Sequence, residues 1–593
     1  MEIKERKDMN PAYMWDLSTL YASDEAWKED LGSLKELLDH AAAFQGKLKD
    51  AGSIAEYFKA ETELELKLSD LYCYAELRNT EDMRDETAQT MLSMIEARYA
   101  EVVSRISFAE PEILALPEEV LSGLASSPEL KDYAFTVEKL ITEKPHVLSK
   151  ESEALLAGFS EVFRAPAKIA ENLQNADLLF QDAEDQKGEK HEVTQANYIL
   201  LQQSGDRTLR EGAFRSFYQG YQQHINTFAA AYSGCVKAAV QEARVRHYGS
   251  SREMSMAGEH IPVTVYDSLI EAVHRFMPAM HRYAALRKKL LGLKELHYYD
   301  LYAPLTPGLD RTWTYQEAQD MVLSAVAPLG DEYVERVRDA FRDRWIDVYP
   351  NKGKQGGAFS SGTYHSNPFI LTSFTGDYNS VTTIAHEMGH SQHTWLANHH
   401  QPAQYAEYTL FVAEVASTVN ENLLVEQLLK KTTDRRERLF LLNQYLEGFK
   451  GTVYRQTMFA EFEKLAHAMA ERGEALTPGA LNTLYHDLTV EYFGPALVMD
   501  DEVKYEWARI PHFYRPFYVY KYATSYSAAV AISEKILSEG SSAAQKYLDF
   551  LSLGGSQYPL DELKQAGVDL TTSAPVEDAL RKFESILDEA ENL

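Results

Sequence analysis

Apolar side chains recur at intervals of three and four residues over most of this chain, the repeat of one face of an α-helix. The run from 24 to 44 is representative. Trp27, Leu31, Leu34, Leu37 and Leu38 fall on one stripe, and Ser23 precedes it as a polar cap, so it reads as a single helix. Only 30 glycines and 20 prolines interrupt 593 residues, too few for a turn-rich β architecture. The expected fold is mainly α. Length alone suggests about three to five domain-sized units.

Two stretches depart from this texture. Residues 181–194 are polar and read as a hairpin or linker, which suggests an N-terminal helical region over 1–195 and a second region over 196–593. Residues 351–376 hold five glycines, at 353, 356, 357, 362 and 376, followed within the stretch by the apolar run Phe369, Ile370 and Leu371. That run is the best strand candidate in the chain, so sheet content should be small.

The charge balance is −31, which disfavours nucleic acid or anionic membrane as partners. No apolar stretch approaches the length of a membrane span. Cys73 and Cys235, in helical surroundings, cannot form a disulfide framework and read as small hydrophobes. The polar N-terminus has no secretory apolar core. A soluble, reducing, cytoplasmic setting is the expectation.

Chemistry concentrates at His386-Glu387-Met388-Gly389-His390, an HExxH pattern. Residues i and i+4 share a helix face, so both imidazoles can converge on one metal ion. Glu387 points about 100° away from His386, outside the ligand set but within reach of a water on the metal, as a general base must be. Chance gives this pattern roughly 0.04 times in such a chain, so it is suggestive and not decisive.

A catalytic zinc site needs a third protein ligand and an open position. His393, at i+7, is too far along a straight helix to share the ion comfortably. The longer run HExxHxxGxxH is excluded, because His393 and Leu396 stand where it requires glycine and histidine. Glu414 is the better candidate. Its neighbours Ala413, Val415 and Ala416 suggest a buried carboxylate, which is costly unless paired or metal-bound. Glu421 lies seven residues on, on the same face, and could orient a histidine ligand from behind.

His-Glu-Met-Gly-His followed by FVAEVASTVNE at 411–421 resembles the thimet oligopeptidase-like zinc metallopeptidases, and within them the oligoendopeptidase F branch. The segments GGAFSSGTYHSNPFILTSF, IPHFYRPFYVYKYATSYS and LKQAGVDL are also similar to that branch. The resemblance implies one zinc per chain on His386, His390 and Glu414, with Glu387 as catalytic base. It implies two helical lobes around a deep channel, a small β-sheet near the active site, and short unstructured peptides as substrates, cut at internal bonds. Relatives of the thimet type use a histidine and tyrosines from the segment matching 512–526 to stabilise the oxyanion. His512 matches that histidine. The tyrosine spacing does not match cleanly, leaving Tyr518, Tyr520 and Tyr522 as candidates with Tyr522 preferred.

Phenols at helical spacing are more often core, and most of Tyr514 to Tyr526 should be packing. The glycine-rich run 353–362 lacks the order of a phosphate-binding loop. It reads better as an exposed strand edge, where Gly356, Gly357 and Ala358 let an extended peptide pair backbone to backbone. The expected protein is a zinc metalloendopeptidase whose catalytic region is 196–593. The alternatives are a metal-dependent hydrolase of other amides or esters, and a non-enzymatic helical binding protein. Oligomeric state is not legible.

Overall fold

The computed structural model describes residues 3–306 and 311–593. It is 71% helical with only small sheets, as the periodicity requires. The chain forms two compact units and not the larger number that length suggests. The first comprises Met1–Pro145, Asp310–Gln427 and Ile532–Val568; the second comprises His146–Leu309, Leu428–Ala531 and Asp569–Leu593. Each collects distant segments, and two of the crossings between units fall inside the helices Leu410–Lys431 and Tyr520–Glu539. Among the described residues, no helix is long and apolar enough to cross a membrane.

In the first unit, the 31-residue helix Ala51–Glu81 starts at a capping box, in which Asp50 accepts the Ser53 N–H. It lies against Glu86–Ile106, and its apolar face joins Trp27, Leu34, Met91 and Ile95 in one core. The run from 24 to 44 is two helices, Asp24–Leu31 and Leu34–Ala42, because the chain turns at Gly32 and Ser33. The apolar stripe survives the break, with Trp27, Leu31, Leu34 and Leu38 all buried.

The glycine-rich stretch carries the sheet that supports the site. Phe369–Leu371 is its central strand, at most 1% exposed, parallel to Ile346–Asp347 and antiparallel to Phe359–Ser361. Ile370 is in register with both Ile346 and Ser360. A strand covered on both faces reads as an unbroken apolar run, which is why it was visible in sequence. Phe359–Ser361 forms an edge of this sheet. The loop before it is pinned by Lys354, 1% exposed at its side chain, which pairs with Asp347 at 2.6 Å and donates to the carbonyls of Tyr349 and Thr372. Two smaller strand pairs, 183–184 with 190–191 and 296–297 with 497–498, lie in the second unit. The first is the hairpin expected at 181–194, and the change of unit falls earlier, after Pro145.

The second unit packs Arg207–Gln223, Ile225–Val245, Val263–Leu290 and Arg455–Glu471 around buried tyrosines. Glu506, fully buried, takes Arg455 at 2.6 Å and Arg509 at 3.0 Å, plus the hydroxyls of Tyr298 and Tyr485. Burial works against its charge, but the two guanidiniums prevail and hold it far below the usual carboxylate range. Cys73 and Cys235 are free thiols, both raised chiefly by burial, to about 12 and about 11, which suits packing and not nucleophilic chemistry.

Candidate metal centre

The HExxH residues sit midway along the helix Tyr378–His400, which Asp377 caps by accepting the Ser380 N–H at 2.7 Å. The helix Leu410–Lys431 crosses it closely enough to exclude side chains at one point. A Cβ on Gly389 would stand 2.5 Å from the Ala416 carbonyl oxygen and 2.6 Å from Ser417 Cα. Only glycine admits that approach. Asn420 reinforces it by donating to the Ala385 carbonyl at 3.1 Å. Val412, Val415 and Val419 face the core, fully buried, which turns Glu414 toward the histidines.

The result is a three-residue cluster within the first unit. Nε2 of His386 and Nε2 of His390 each lie 3.5 Å from Oε2 of Glu414, and all ligating atoms fall within 4.8 Å of one another. Two ligands about 2.1 Å from a tetrahedral ion stand about 3.4 Å apart, so the spacing and the donor set both fit zinc. The two imidazoles meet edge to face, with centroids 4.9 Å apart.

Around these ligands, Glu421 accepts from Nδ1 of His386 at 2.6 Å, which leaves Nε2 free for the metal. Ser417 donates to Oε2 of Glu414 at 2.9 Å. Without metal the cluster is an ion-pair network. Burial opposes charge on His386, but Glu421 and the other carboxylates raise it to about 9. Burial likewise opposes charge on Glu414, and the hydrogen bond and charge of His390 bring it down to about 2.

Glu387 is 6% exposed and outside the ligand cluster. Burial raises its carboxyl, against the pull of both histidines. Glu414 is half-buried, its side chain 36% exposed, where its apolar sequence neighbours suggested a buried carboxylate. His393 is 1% exposed and stacks on Tyr408 at 3.5 Å between centroids, as part of the core. Ser391, one residue past His390, bonds Ser360 at 2.8 Å and ties the edge strand to the metal-site helix.

His512 and Tyr522 lie in the second unit. Their ring centroids are 5.9 Å apart, with Tyr518 at 6.1 Å from His512 and 5.4 Å from Tyr522. Desolvation and the nearby Arg515 lower His512 from the usual imidazole value. Tyr520 and Tyr526 are buried, as expected of packing phenols. Gly389, Ser417 and Asn420 were missed in sequence. Ser417, at i+3 from Glu414, was findable by helical spacing; the other two depend on a helix crossing that no local pattern encodes.

One further group of potential ligands lies as close among the described residues: Asp185, Glu189 and His191 in the hairpin. There Asp185 already accepts backbone N–H groups of Lys187 and Glu189 at 2.9 Å, an ordinary turn.

Comparison with known proteins gives a consistent answer. A family model described as Peptidase family M3 matches residues 200–582, and one described as Oligopeptidase F matches 112–180. Oligopeptidase PepF of Bacillus subtilis is 44% identical, covering 100% of this chain and 89% of its own. Group B oligopeptidase PepB of Streptococcus agalactiae is 41% identical, covering 99% and 98%. The crystal structure of oligoendopeptidase-F from Enterococcus faecium, 36% identical, matches with a TM-score of 0.75 over 96% of this chain and 99% of its own. Peptide-bond hydrolysis by a metallopeptidase follows, and the ester-hydrolase and binding-protein alternatives fall away. The chain belongs to peptidase family M3, in its oligopeptidase F branch.

Proposed function

We propose that this chain is a zinc-dependent endopeptidase of the cytoplasm that cuts internal bonds of short, unstructured peptides. The observation that carries the reading is the convergence of His386, His390 and Glu414 at 3.5 Å spacing, with Glu387 beside them and outside the ligand set. One zinc ion held by these three would polarise the scissile carbonyl and acidify the attacking water.

Glu387 takes a proton from that water and passes it to the leaving amine. Its burial favours the first half of this cycle, because a carboxylate disfavoured by burial takes up a proton more readily. Glu421 keeps His386 in the tautomer that presents Nε2. His512 and Tyr522 donate to the oxyanion that develops at the attacked carbonyl. The edge strand Phe359–Ser361 pairs with the substrate backbone, which requires an extended peptide. Residues 196–593 form the catalytic region and 1–195 an N-terminal helical region, a division supported by the separate spans of the two family matches. The resemblance to the oligoendopeptidase F branch is the reason for expecting folded substrates to be excluded.

An unstructured peptide and a folded protein containing the same sequence test the reading. Mass spectrometry should find internal cuts in the peptide and none in the folded protein. Digestion of the folded protein would remove the channel from the account, and release of terminal residues alone would make this an exopeptidase.

A further inference from the structure

Phe517 has a φ of 56°, in the left-handed region that a bulky side chain adopts only under strain. It lies between His512 and Tyr522, in the turn that sets the spacing of His512, Tyr518 and Tyr522. That strain persists because the turn is held from several sides. Oε1 of Glu463, on the helix Arg455–Glu471, accepts the Phe517 N–H at 3.0 Å. Ser255 donates to the Pro516 carbonyl at 2.9 Å, and the Cys235 thiol to the Tyr514 carbonyl at 3.6 Å. The Phe517 ring, 1% exposed, is clamped against His467 at 4.5 Å and Tyr266 at 5.8 Å.

Glu463 is the unusual member of this set. It is fully buried, and the interaction that stands against the burial of its charge is one backbone N–H, so burial raises it well above the carboxylate range. Among the described residues, its other oxygen, Oε2, has no hydrogen-bond partner, and neither has Nε2 of His467 one turn along the same helix. The two orphans are complementary. Ser251 donates its hydroxyl to Glu471 at 2.9 Å, so it must accept from Nδ1–H of His467 at 2.9 Å, which leaves Nε2 as a bare acceptor. A protonated Oε2 is a donor, and one bridging water satisfies such a pair. A buried carboxyl in a packing role alone is readily replaced by an apolar side chain; one that grips the strained amide between His512 and Tyr522 is not.

We propose that Glu463 is a positioning residue: its carboxyl locks the Phe517 turn and thereby sets His512 and Tyr522 where they meet the developing oxyanion. The proposal rests on the reading of His512 and Tyr522 given above. It predicts that the amide isostere suffices, since glutamine supplies the same acceptor to Phe517 and a donor in place of Oε2–H.

The test compares Glu463→Gln and Glu463→Met in the metal-loaded full chain, alone and combined with His512→Ala. Glu463→Met should lower kcat between about tenfold and hundredfold, the scale of a misplaced reacting group, with KM changed less than about threefold. Glu463→Gln should keep kcat within about threefold. Hydrogen exchange across 512–522 should rise in Glu463→Met and not in Glu463→Gln. In the His512→Ala background Glu463→Met should cost clearly less than in the wild-type background, because part of its effect acts through His512. If Glu463→Met does not fold, Glu463→Ala takes its place, judged by the same comparison. Wild-type kcat in the apolar variant, or a loss fully additive with His512→Ala, overturns the role of Glu463 alone. Wild-type kcat in both His512→Ala and Tyr522→Phe overturns the reading of the cluster, and the positioning role with it.

Discussion

Glu387→Gln is expected to keep about one zinc per chain and to lose about 10²–10⁴-fold in kcat. The two outcomes have separate causes. In the proposed site zinc would be held by His386, His390 and Glu414, whose potential ligating atoms lie within 4.8 Å of one another, and Glu387 is not in that set. The amide keeps the shape of the side chain, so its buried site, 6% exposed, is not disrupted. What the amide cannot do is accept a proton and return it. The expected loss corresponds to about 3–5 kcal/mol of transition-state stabilisation. Metal analysis and steady-state kinetics on one preparation read both quantities. A variant that purifies without metal would make Glu387 a ligand and the base assignment wrong.

Glu414→Ala is expected to lose the metal, and His393→Ala to keep it. Removing one of three protein ligands leaves two histidines on one helix, too few to close the site. It also releases the ion pair that 3.5 Å contacts to both imidazoles define. His393, three residues past a ligand and itself a histidine, stacks on Tyr408 and packs near Phe550 in the core. Its truncation should cost about 1–3 kcal/mol of stability, as core truncations do, without touching metal content. Zinc content near wild type in Glu414→Ala, with loss in His393→Ala, would reverse the assignment.

Much of this was legible in the residues because the relevant signals are local. HExxH needs one helix, and helical spacing alone brings His386 toward His390. Phe369–Leu371 betrayed itself as a strand because both of its faces are covered. Glu414 is only half-buried although Val412 and Val415 beside it are fully buried, because successive helix positions point to different sides. Gly389 shows a different limit: its reason is a backbone 27 residues away, at Ala416, and any glycine in a helix looks the same until that crossing is known. The two compact units escaped for a related reason. Each joins three separated segments, and the chain changes unit twice within continuous helices, so no break in composition marks those two changes. Phe517 is the extreme case, since nothing in the type of residue announces a positive φ.

The claim at the centre of the account is that one metal ion, held by His386, His390 and Glu414, is required for peptide hydrolysis. Titrating zinc into chelated, metal-free protein while following cleavage of an internally quenched peptide tests it most directly. Activity should be absent at the start, rise in proportion to added zinc, and level off at about one equivalent per chain. The same titration of Glu414→Ala should give no plateau at that point. Full hydrolysis by the metal-free protein, or an identical titration curve for Glu414→Ala, would contradict it.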